Sequence, residues 1–373
     1  MSEPFLPFVR PFISPDTRQG VDEVLASGWI TTGPHVAALE SELSDYLKGR
    51  PVLAYSHATG VMEETLRALG IGPGDEVILP DMTFAAGVNV VLRVGATPVV
   101  VDVDLHTRNL DAARVEAVMT GRTRAVMPVH MAGLPVDLDP LYALCEQHGV
   151  RVVEDAAHAI GTRYKGRLIG SFGDVACFSF HANKNLTTIE GAAVSSADAT
   201  LMENLRLRRF HGQEKLDDGS YDIILAANKY NLSDVAARIG RDQLAVLEER
   251  NAHRRRLARL YLGALEGLEH VLLPARGDAG HAWHMFAVCI DFEHFGTDRK
   301  ALRAAMAERG IGTGMHYPPI HRLSVCQSLG LREEAFPNAG RIGRETLTLP
   351  LFAEMKETDV ERVAKALREV LNG

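Results

Sequence analysis

The stretch Arg151-Val-Val-Glu-Asp155-Ala-Ala-His158 has the pattern of a buried β-strand that ends in a carboxylate. A second stretch, Ala176-Cys-Phe-Ser179-Phe-His-Ala-Asn-Lys184-Asn185, is a β-rich run that breaks into a polar turn carrying an amine. Lys184 follows Asp155 by 29 residues. The two stretches predict adjacent strands whose polar ends place an amine next to a carboxylate.

An amine and a carboxylate in this arrangement are the groups that pyridoxal phosphate (PLP) requires. A lysine forms a Schiff base with its aldehyde, and an acidic partner keeps the ring nitrogen protonated so that the ring accepts electrons. Taken singly, Lys184 could equally be a solvated charge and Asp155 a turn or helix cap. The assignment therefore depends on further signals along the chain.

Short apolar runs alternate with helical patterns between about residue 50 and residue 195. Such alternation predicts βαβ units and a mostly parallel sheet, at whose carboxyl edge ligands bind. Buried strands are expected at 76–79, 97–102, 124–129 and 150–154, and helices at 61–69 and 141–148. The polar residues expected at the carboxyl edge are Asp102, His130, Asp155 and Ser179.

A second, smaller domain is predicted after a charge-rich helix over 235–262. In this domain we expect a strand over 283–290 and helices over 298–309 and 357–371. The predicted domains are 1–245, which includes the N-terminal segment, and 246–373.

Composition excludes several classes of protein. The net charge of −8 argues against nucleic-acid binding. The longest apolar region, 88–103, is interrupted by polar residues, and the N-terminus lacks the features of a signal peptide. The cysteines are far apart, which favours reduced thiols over disulfides or a zinc site. We expect a cytoplasmic protein with no metal, nucleic-acid or membrane partner. The cysteines are Cys145, Cys177, Cys289 and Cys326.

Several motifs together resemble a known family, the DegT/DnrJ/EryC1/StrS sugar aminotransferases, over nearly the whole chain. This resemblance implies PLP and an α/β fold of type I (aspartate aminotransferase-like), with a mostly parallel sheet in a large domain and a smaller α/β C-terminal domain. The motifs are Gly28-Trp-Ile-Thr-Thr-Gly-Pro34, Gly72-Pro-Gly-Asp-Glu-Val-Ile78, Gly95-Ala-Thr-Pro98, Glu154-Asp-Ala-Ala-His-Ala159 and Phe178-Ser-Phe-His-Ala-Asn-Lys-Asn185.

Within this family the chain looks most like the UDP-4-amino-4-deoxy-L-arabinose–oxoglutarate aminotransferases. Four segments carry that closer likeness: Phe5-Leu-Pro-Phe8, Lys229-Tyr-Asn-Leu232, His281-Ala-Trp-His284 and Gly310-Ile-Gly-Thr-Gly-Met-His316.

The resemblance implies catalytic roles for Lys184, Asp155 and His158. Lys184 would bind the cofactor covalently and then move a proton as a base. Asp155 would pair with the ring nitrogen. His158 would lie near the ring and its phenolic oxygen; its alternative is a hydrogen-bonded core histidine.

The cofactor's phosphate would be held by Ala58 and Thr59 at a helix start, with the Ser179 hydroxyl. Phe84 would stack on the ring, and it could equally be a core residue. The family also takes a phosphate contact from a neighbouring subunit, which implies a homodimer with shared active sites. Here the corresponding segment offers Asn228, Lys229 and Asn231.

Two loops resemble the family's substrate loops, although capping or packing explains their residues equally well. The candidate substrate contacts are Thr31, Thr32, His316, Tyr317 and His321.

The expected reaction moves an amino group from L-glutamate or glutamine, giving 2-oxoglutarate from glutamate, to a nucleotide-linked 4-keto sugar such as a UDP-4-keto-pentose. The alternatives are a dTDP-, GDP- or UDP-linked keto-hexose aminated at C3 or C4, an aminocyclitol precursor, or a non-catalytic regulatory homologue. A dehydratase is disfavoured because Lys184 is present, and an oxidoreductase because no GxGxxG follows the first strand. Lipid A modification, surface polysaccharide and antibiotic sugar synthesis would all use this chemistry.

Overall fold

The computed structural model describes residues 4–277 and 280–372 as helices, strands and loops of an α/β fold. Its helices are α1 (Pro15–Ser27), α2 (Pro34–Tyr46), α3 (Ala58–Ala68), α4 (Ala86–Arg93), α5 (Ala112–Val118), α6 (Leu138–His148), α7 (Ala199–Arg208), α8 (Asp234–Ala245), α9 (Leu247–Leu265), α10 (Arg299–Glu308), α11 (Pro337–Glu345) and α12 (Glu357–Leu371).

Its strands are β1 (Val52–Tyr55), β2 (Glu76–Pro80), β3 (Thr97–Val101), β4 (Thr123–Val126), β5 (Arg151–Asp155), β6 (Arg163–Tyr164), β7 (Arg167–Leu168), β8 (Val175–Ser179), β9 (Ala192–Ser196), β10 (Gln213–Lys215), β11 (Tyr221–Ile223), β12 (Val271–Leu272), β13 (Phe286–Ile290) and β14 (Thr346–Leu349). Short 3₁₀ turns lie at 131–133, 320–322, 324–329 and 333–335.

The central sheet has seven strands in the order β1-β9-β8-β5-β4-β2-β3. The pairs β2–β3, β2–β4, β4–β5 and β5–β8 are parallel, whereas β9 runs antiparallel to both of its neighbours. The prediction of a mostly parallel sheet is therefore confirmed. The carboxyl ends of β2, β5 and β8 consequently meet at one edge.

Both faces of this sheet are covered by helices, which explains the near-continuous apolar runs of its strands. Side chains alternate between the faces: Val152 belongs to one apolar cluster and Val153 to the other. The first cluster includes residues of α2, α6 and α8, and the second includes residues of α3 and α4.

A smaller unit is built on the antiparallel sheet β12-β13-β14. Residues of α9, α10 and α12 form its apolar core, which also contains Leu6 from the N-terminal segment. Helix α8 ends at Ala245 and α9 begins at Leu247, and the domain boundary at residue 245 stays a prediction. Along α9, Leu247 packs in a cluster of the large sheet and Leu257 packs in the core of the smaller unit.

Two predicted elements differ from the structure. The helix expected over 235–262 is divided at Val246 into α8 and α9. The strand expected over 283–290 begins only at Phe286, because Trp283 has a left-handed backbone (φ 49°) and its neighbours bond to the large domain. There, Ala282 N donates to Gly133 O and His284 N donates to Ala132 O.

No helix within the described ranges is both long and apolar enough to cross a bilayer. Across the same residues, no group of three or more His, Cys, Asp or Glu side chains is arranged to hold a metal ion.

Candidate active site

A cavity of about 340 Å³ lies at the carboxyl edge of the central sheet. It is bounded by the ends of β5 and β8, the start of α3 and a loop that precedes α11. A larger depression of about 600 Å³ lies between α2 and α8, but charged surface residues line it and it contains none of the predicted groups. The smaller cavity gathers the predicted residues Ala58, Thr59, Phe84, Asp155, His158, Ser179, Lys184, His316 and Tyr317.

Lys184 and Asp155 form the charged pair of this cavity. Asp155 is the last residue of β5, and its Oδ1 accepts a hydrogen bond of 3.0 Å from Ala157 N. Lys184 lies in the turn after β8, where its backbone N donates to His181 O. Burial lowers the pKa of the Lys184 amine to about 8, against the opposing charge of Asp155. Burial also raises the pKa of Asp155. A buried amine that loses its proton so easily is a good nucleophile.

His158 lies one turn beyond Asp155 and is buried. Its ring stacks on that of His284 with centroids 4.5 Å apart, and its Nε2 lies 3.2 Å from the Tyr317 hydroxyl. Burial holds the pKa of His158 well below its usual range, so the ring is neutral at neutral pH. Its Nδ1 is buried and has no hydrogen-bond partner among the described residues.

His284 belongs to a polar chain behind the cavity that sequence reasoning did not assign. His284 Nδ1 lies 3.2 Å from Asn185 Oδ1. The Asn185 amide donates to Asn251 Oδ1 (2.8 Å) and to Ala282 O (2.9 Å). Asn185 follows Lys184 directly, so this chain connects the lysine turn to α9 and to the small domain. The available signal is the presence of Asn185 and His284 in motifs that resemble the family.

His130, which we expected at the ligand edge, does not line the cavity. Its Nδ1 accepts from Val136 N (3.1 Å), so Nε2 carries the proton and donates to Glu154 Oε2 (2.8 Å). Tyr142 donates to the other oxygen of Glu154 at 2.6 Å. These hydrogen bonds hold the side chain of Glu154, next to the end of β5, outside the lining of the cavity.

The opposite end of the cavity suits an anion. Ala58 and Thr59 occupy the first turn of α3, where backbone N–H groups lack partners within the helix. The N-cap residue, His57, accepts from Gly60 N through Nδ1 at 2.9 Å. Ser179 contributes a hydroxyl from the end of β8. A helix start with two hydroxyls is a typical phosphate site.

These groups fit PLP. Lys184 would supply the amine that binds the cofactor, and Asp155 would supply a carboxylate for the ring nitrogen. The N-terminus of α3 would bind the phosphate. The unpaired Nδ1 of His158 is a polar atom that the described residues leave without a partner.

The segment expected to cross between subunits does not line this cavity. Asn228 donates to Glu64 of its own chain (3.1 Å), and Asn231 donates to the Thr32 hydroxyl (2.6 Å). Lys229 is exposed, and its ammonium lies 5.9 Å from the centre of the Phe210 ring.

The remaining substrate candidates also lie outside the cavity. The Thr32 hydroxyl donates to Leu232 O (2.7 Å), and Thr31 O accepts from Asp234 N (3.0 Å). His321 is buried between the carboxylates of Asp81 and Glu333. In this chain these three residues therefore make structural contacts.

Comparison with known proteins identifies the family. The sequence profile of the DegT/DnrJ/EryC1/StrS aminotransferases matches residues 11–368. The chain belongs to this family. Members of this family are PLP-dependent sugar aminotransferases. The predictions of the enzyme class, the fold and the cofactor are therefore confirmed.

Solved structures of the same fold support this conclusion. A Streptococcus pneumoniae protein described as a sugar aminotransferase, Spr1654, in its PMP form, is 30% identical and superimposes with a TM-score of 0.93, covering 98% of this chain and 99% of that one. DesV of S. venezuelae is 34% identical over 100% of both chains, with a TM-score of 0.92. The aminotransferase TlmJ of Streptoalloteichus hindustanus is 32% identical, with a TM-score of 0.91 and coverage of 98% and 99%.

Proposed function

We propose that this aminotransferase moves the amino group of L-glutamate to the 4-keto carbon of a nucleotide-linked sugar, with a UDP-4-keto-pentose as the acceptor. The observation that carries the proposal is the buried pair of Lys184 and Asp155 in the cavity that also contains His158, Ser179 and the start of α3. PLP bound here supplies an electron sink for the bond changes at the amino-bearing carbon.

Each residue has a role that its surroundings support. Lys184 attaches the cofactor through its amine and, once released, carries a proton to and from the substrate carbon. Asp155 would hold the proton on the ring nitrogen. His158, which is neutral and has an unpaired Nδ1, would bond to the phenolic oxygen. Phe84 would cover the ring.

The choice of acceptor is supported by where the subfamily motifs lie. Phe8 stacks on His316 with ring centroids 5.2 Å apart, and His284 stacks on His158. His316 itself lines the cavity beside Tyr317. Three of the four segments that carry the likeness to the UDP-4-amino-4-deoxy-L-arabinose enzymes therefore meet around one wall of the cavity. A different keto-hexose nucleotide or an aminocyclitol precursor is the alternative acceptor.

We also propose that the enzyme is a homodimer with shared active sites. Large apolar side chains are exposed at the cavity mouth, on the loop before α2 and on the hairpin of β10 and β11, and such surfaces mark interfaces. They are Trp29, Ile30, Phe84, Ile189, Tyr221, Ile223 and Ile224. Among the described residues that line the cavity, Lys184 is the only Lys or Arg, and a sugar nucleotide would add phosphate charge that a further cation would balance. Lys229 of the partner subunit is the proposed cation.

We place the reaction in the cytoplasm, where it would supply an amino sugar for lipid A, surface polysaccharide or antibiotic synthesis.

The visible spectrum of the PLP-loaded protein tests the proposal. We expect a yellow protein that L-glutamate bleaches and in which borohydride fixes the cofactor to Lys184. Lys184→Ala should abolish both effects, whereas Lys165→Ala, which alters a surface lysine paired with Asp139, should retain them. A borohydride adduct on another lysine of Lys184→Ala would overturn the site. Bleaching by glutamine but not by glutamate would show that glutamine is the donor. A panel of UDP-, dTDP- and GDP-linked keto sugars would identify the acceptor.

A further inference from the structure

His321 connects two segments that both line the active-site cavity. Asp81 directly follows β2 and precedes Thr83 and Phe84, and His321 lies four residues after Tyr317. Three hydrogen bonds join the segments at this point. Ile320 N donates to Asp81 O (2.9 Å), His321 N donates to Asp81 Oδ1 (2.8 Å), and the ring Nδ1 of His321 lies 2.5 Å from Asp81 Oδ2.

The other ring nitrogen of His321 also faces a carboxylate. Its Nε2 lies 2.8 Å from Glu333 Oε2. An ionised carboxylate accepts hydrogen bonds and cannot donate them, and a neutral imidazole has one N–H donor. Both bonds form at once only when the ring carries two protons and a positive charge. The Phe336 ring stacks on the imidazole at 5.0 Å and completes its enclosure.

We propose that His321, as an imidazolium bridging Asp81 and Glu333, is a positioning residue that holds the Tyr317 segment against the Phe84 segment in the geometry that binds substrate. Loss of its proton removes one of the two carboxylate bonds and loosens the junction, which the backbone bonds of Ile320 and His321 to Asp81 alone hold less firmly. The proposal concerns substrate affinity and leaves the chemical groups of the cavity unchanged. It rests on the proposed function only in assuming that substrate lies between Phe84 and Tyr317.

The surroundings of His321 keep the proton on the ring. Burial lowers the pKa of His321, but hydrogen bonds and charge from Asp81 and Glu333 together outweigh burial and raise that pKa above its usual value. The bridge is therefore complete below the ordinary histidine pKa and is lost as the pH rises through the raised value. The charged or titratable groups that face His321 and its two partners are Asp81, Glu333, Arg322, Arg344, Asp102 and Cys326.

Glu333→Gln is the variant to test, because Glu333 is on the surface and its replacement does not uncover the buried Asp81. Glutamine keeps an oxygen that accepts from Nε2 but no longer favours the charged ring. The matched control is Glu334→Gln, the same change on the next residue of the same 3₁₀ turn. Within the described residues, Glu334 has no ion pair or side-chain hydrogen bond.

The readouts are the KM for L-glutamate and the rate at saturation, measured in the half-reaction at pH 6.5 and pH 8. We expect wild type and Glu333→Gln to differ less than about twofold in KM at pH 6.5. At pH 8 the KM of Glu333→Gln should be about tenfold higher than that of wild type, which corresponds to the loss of a hydrogen bond to a charged group. The rate at saturation should stay within about threefold of the wild-type rate. Glu334→Gln should follow wild type throughout.

Two results would show that His321 only supports the fold. One is a ratio of the KM of Glu333→Gln to that of wild type that is the same at both pH values. The other is an equal change of KM in Glu334→Gln. A second measurement does not depend on glutamate. The unfolding temperature of wild type should fall between pH 6.5 and 9, and in Glu333→Gln the fall should begin at lower pH. If glutamate fails to bleach the enzyme, the proposed donor is wrong, but this second measurement still decides whether His321 is charged. Coincident curves for the three proteins would overturn the proposal.

Discussion

At the scale of single residues, burial determines the chemistry of the site. The pKa of Lys184 is lowered to about 8 because a buried ammonium loses its hydration, and the negative charge of Asp155 limits that decrease. At pH 7 roughly a tenth of such an amine is neutral, compared with less than about a thousandth of an exposed lysine. The site therefore contains a nucleophile at physiological pH.

This pKa predicts how the apoprotein takes up its cofactor. The neutral amine is the reactive form, so the rate constant for loading PLP should rise about tenfold per pH unit below pH 8 and level off above it. In Asp155→Asn the midpoint of this pH dependence should move to lower pH, because the negative charge that favours the ammonium form of Lys184 is gone. Stopped-flow absorbance measures both curves. Asp139→Asn, which removes a surface carboxylate paired with Lys165, is the control and should leave the midpoint in place. A midpoint near pH 10 in wild type would contradict the buried amine.

Most of the residues that the sequence predicts around the cofactor line one cavity, whereas several of those predicted to contact substrate or a partner subunit do not. Asp155 and Ser179 are the last residues of strands and Lys184 lies in the turn after β8. Strand ends can be predicted from apolar runs. His321 and Asn231 were predicted as a substrate contact and a contact across the dimer. Within this chain they bond to Asp81 and Thr32. Those partners lie 240 and 199 residues away, and no local pattern reports such pairings.

At the scale of elements, the four strands whose bounds the sequence predicts lie within a few residues of β2, β3, β4 and β5, whereas β1 and β9 are not among the predicted strands. Strand β5 was expected at 150–154 and occupies 151–155, and β3 was expected at 97–102 and occupies 97–101. The elements of the small domain are harder to predict from the sequence, because tertiary contacts determine where they begin and end. Gly133 has φ 90°, and a Cβ there would lie 3.0 Å from His158 O and 3.2 Å from Trp283 N. The close approach of residues 281–284 to this glycine delays the start of β13.

One buried carboxylate fixes the loop that contains Thr31 and Thr32. Asp234, the first residue of α8, accepts hydrogen bonds from the backbone N–H groups of Gly33 (2.8 Å), Val36 (2.9 Å) and His35 (3.1 Å). These are the groups at the start of α2 that no helical bond satisfies. The side chain of a later helix therefore caps an earlier one across 198 to 201 residues of sequence.

Asp234→Ala should leave three N–H groups without an acceptor and lower the free energy of unfolding by about 3 to 5 kcal/mol. Asp234→Asn keeps one acceptor oxygen, so its loss should be about half as large. Asp298→Ala removes an ordinary cap, a single bond to Ala301 N at the start of α10, and should cost about 1 kcal/mol. Urea unfolding of the three variants measures these values. Equal losses in Asp234→Ala and Asp298→Ala would show that the three bonds do not act together.

At the scale of the whole molecule, strand-end carboxylates attach the C-terminal part of the chain to the large domain. Asp81 follows β2 and bonds to Ile320 and His321, as described above. Asp102 follows β3 and accepts from the backbone N–H groups of Asn338 (3.1 Å) and Ala339 (2.8 Å) at the start of α11. The sequence predicted Asp102 at the ligand edge, where its type is common. In the structure its carboxylate caps the start of α11.

Exposed apolar side chains support the proposed second subunit. The hairpin of β10 and β11 exposes Tyr221 (63% exposed) and Ile223 (49% exposed), and Phe84 (59% exposed) lies at the cavity mouth. Of the three residues predicted to cross, Asn228 and Asn231 already bond within their own chain. Lys229 has no hydrogen bond or ion pair with its side chain in the described part of the molecule, so its ammonium is the group that remains available to a partner.

Complementation between two inactive variants tests whether sites are shared. Lys184→Ala lacks the catalytic amine and Lys229→Ala lacks the proposed cation, so each homodimer should be nearly inactive. A heterodimer has one site with both lysines, because Lys184 comes from one subunit and Lys229 from the other. If subunits exchange at random, half of the dimers are mixed, and activity should return to about a quarter of the wild-type value.

The control mixture is Lys184→Ala with the double variant Lys184→Ala/Lys229→Ala, in which no site contains both lysines and no recovery is expected. If Lys229 instead acted within its own subunit, both sites of every heterodimer would lack one lysine, and the first mixture would also stay inactive. If Lys229→Ala alone kept full activity, the proposed cation would be wrong while the dimer itself would stand. Light scattering of each variant, run first, confirms that each is a dimer. Native mass spectrometry of a mixture in which one variant is isotope-labelled confirms that subunits exchange, so that the absence of recovery reflects the geometry of the site.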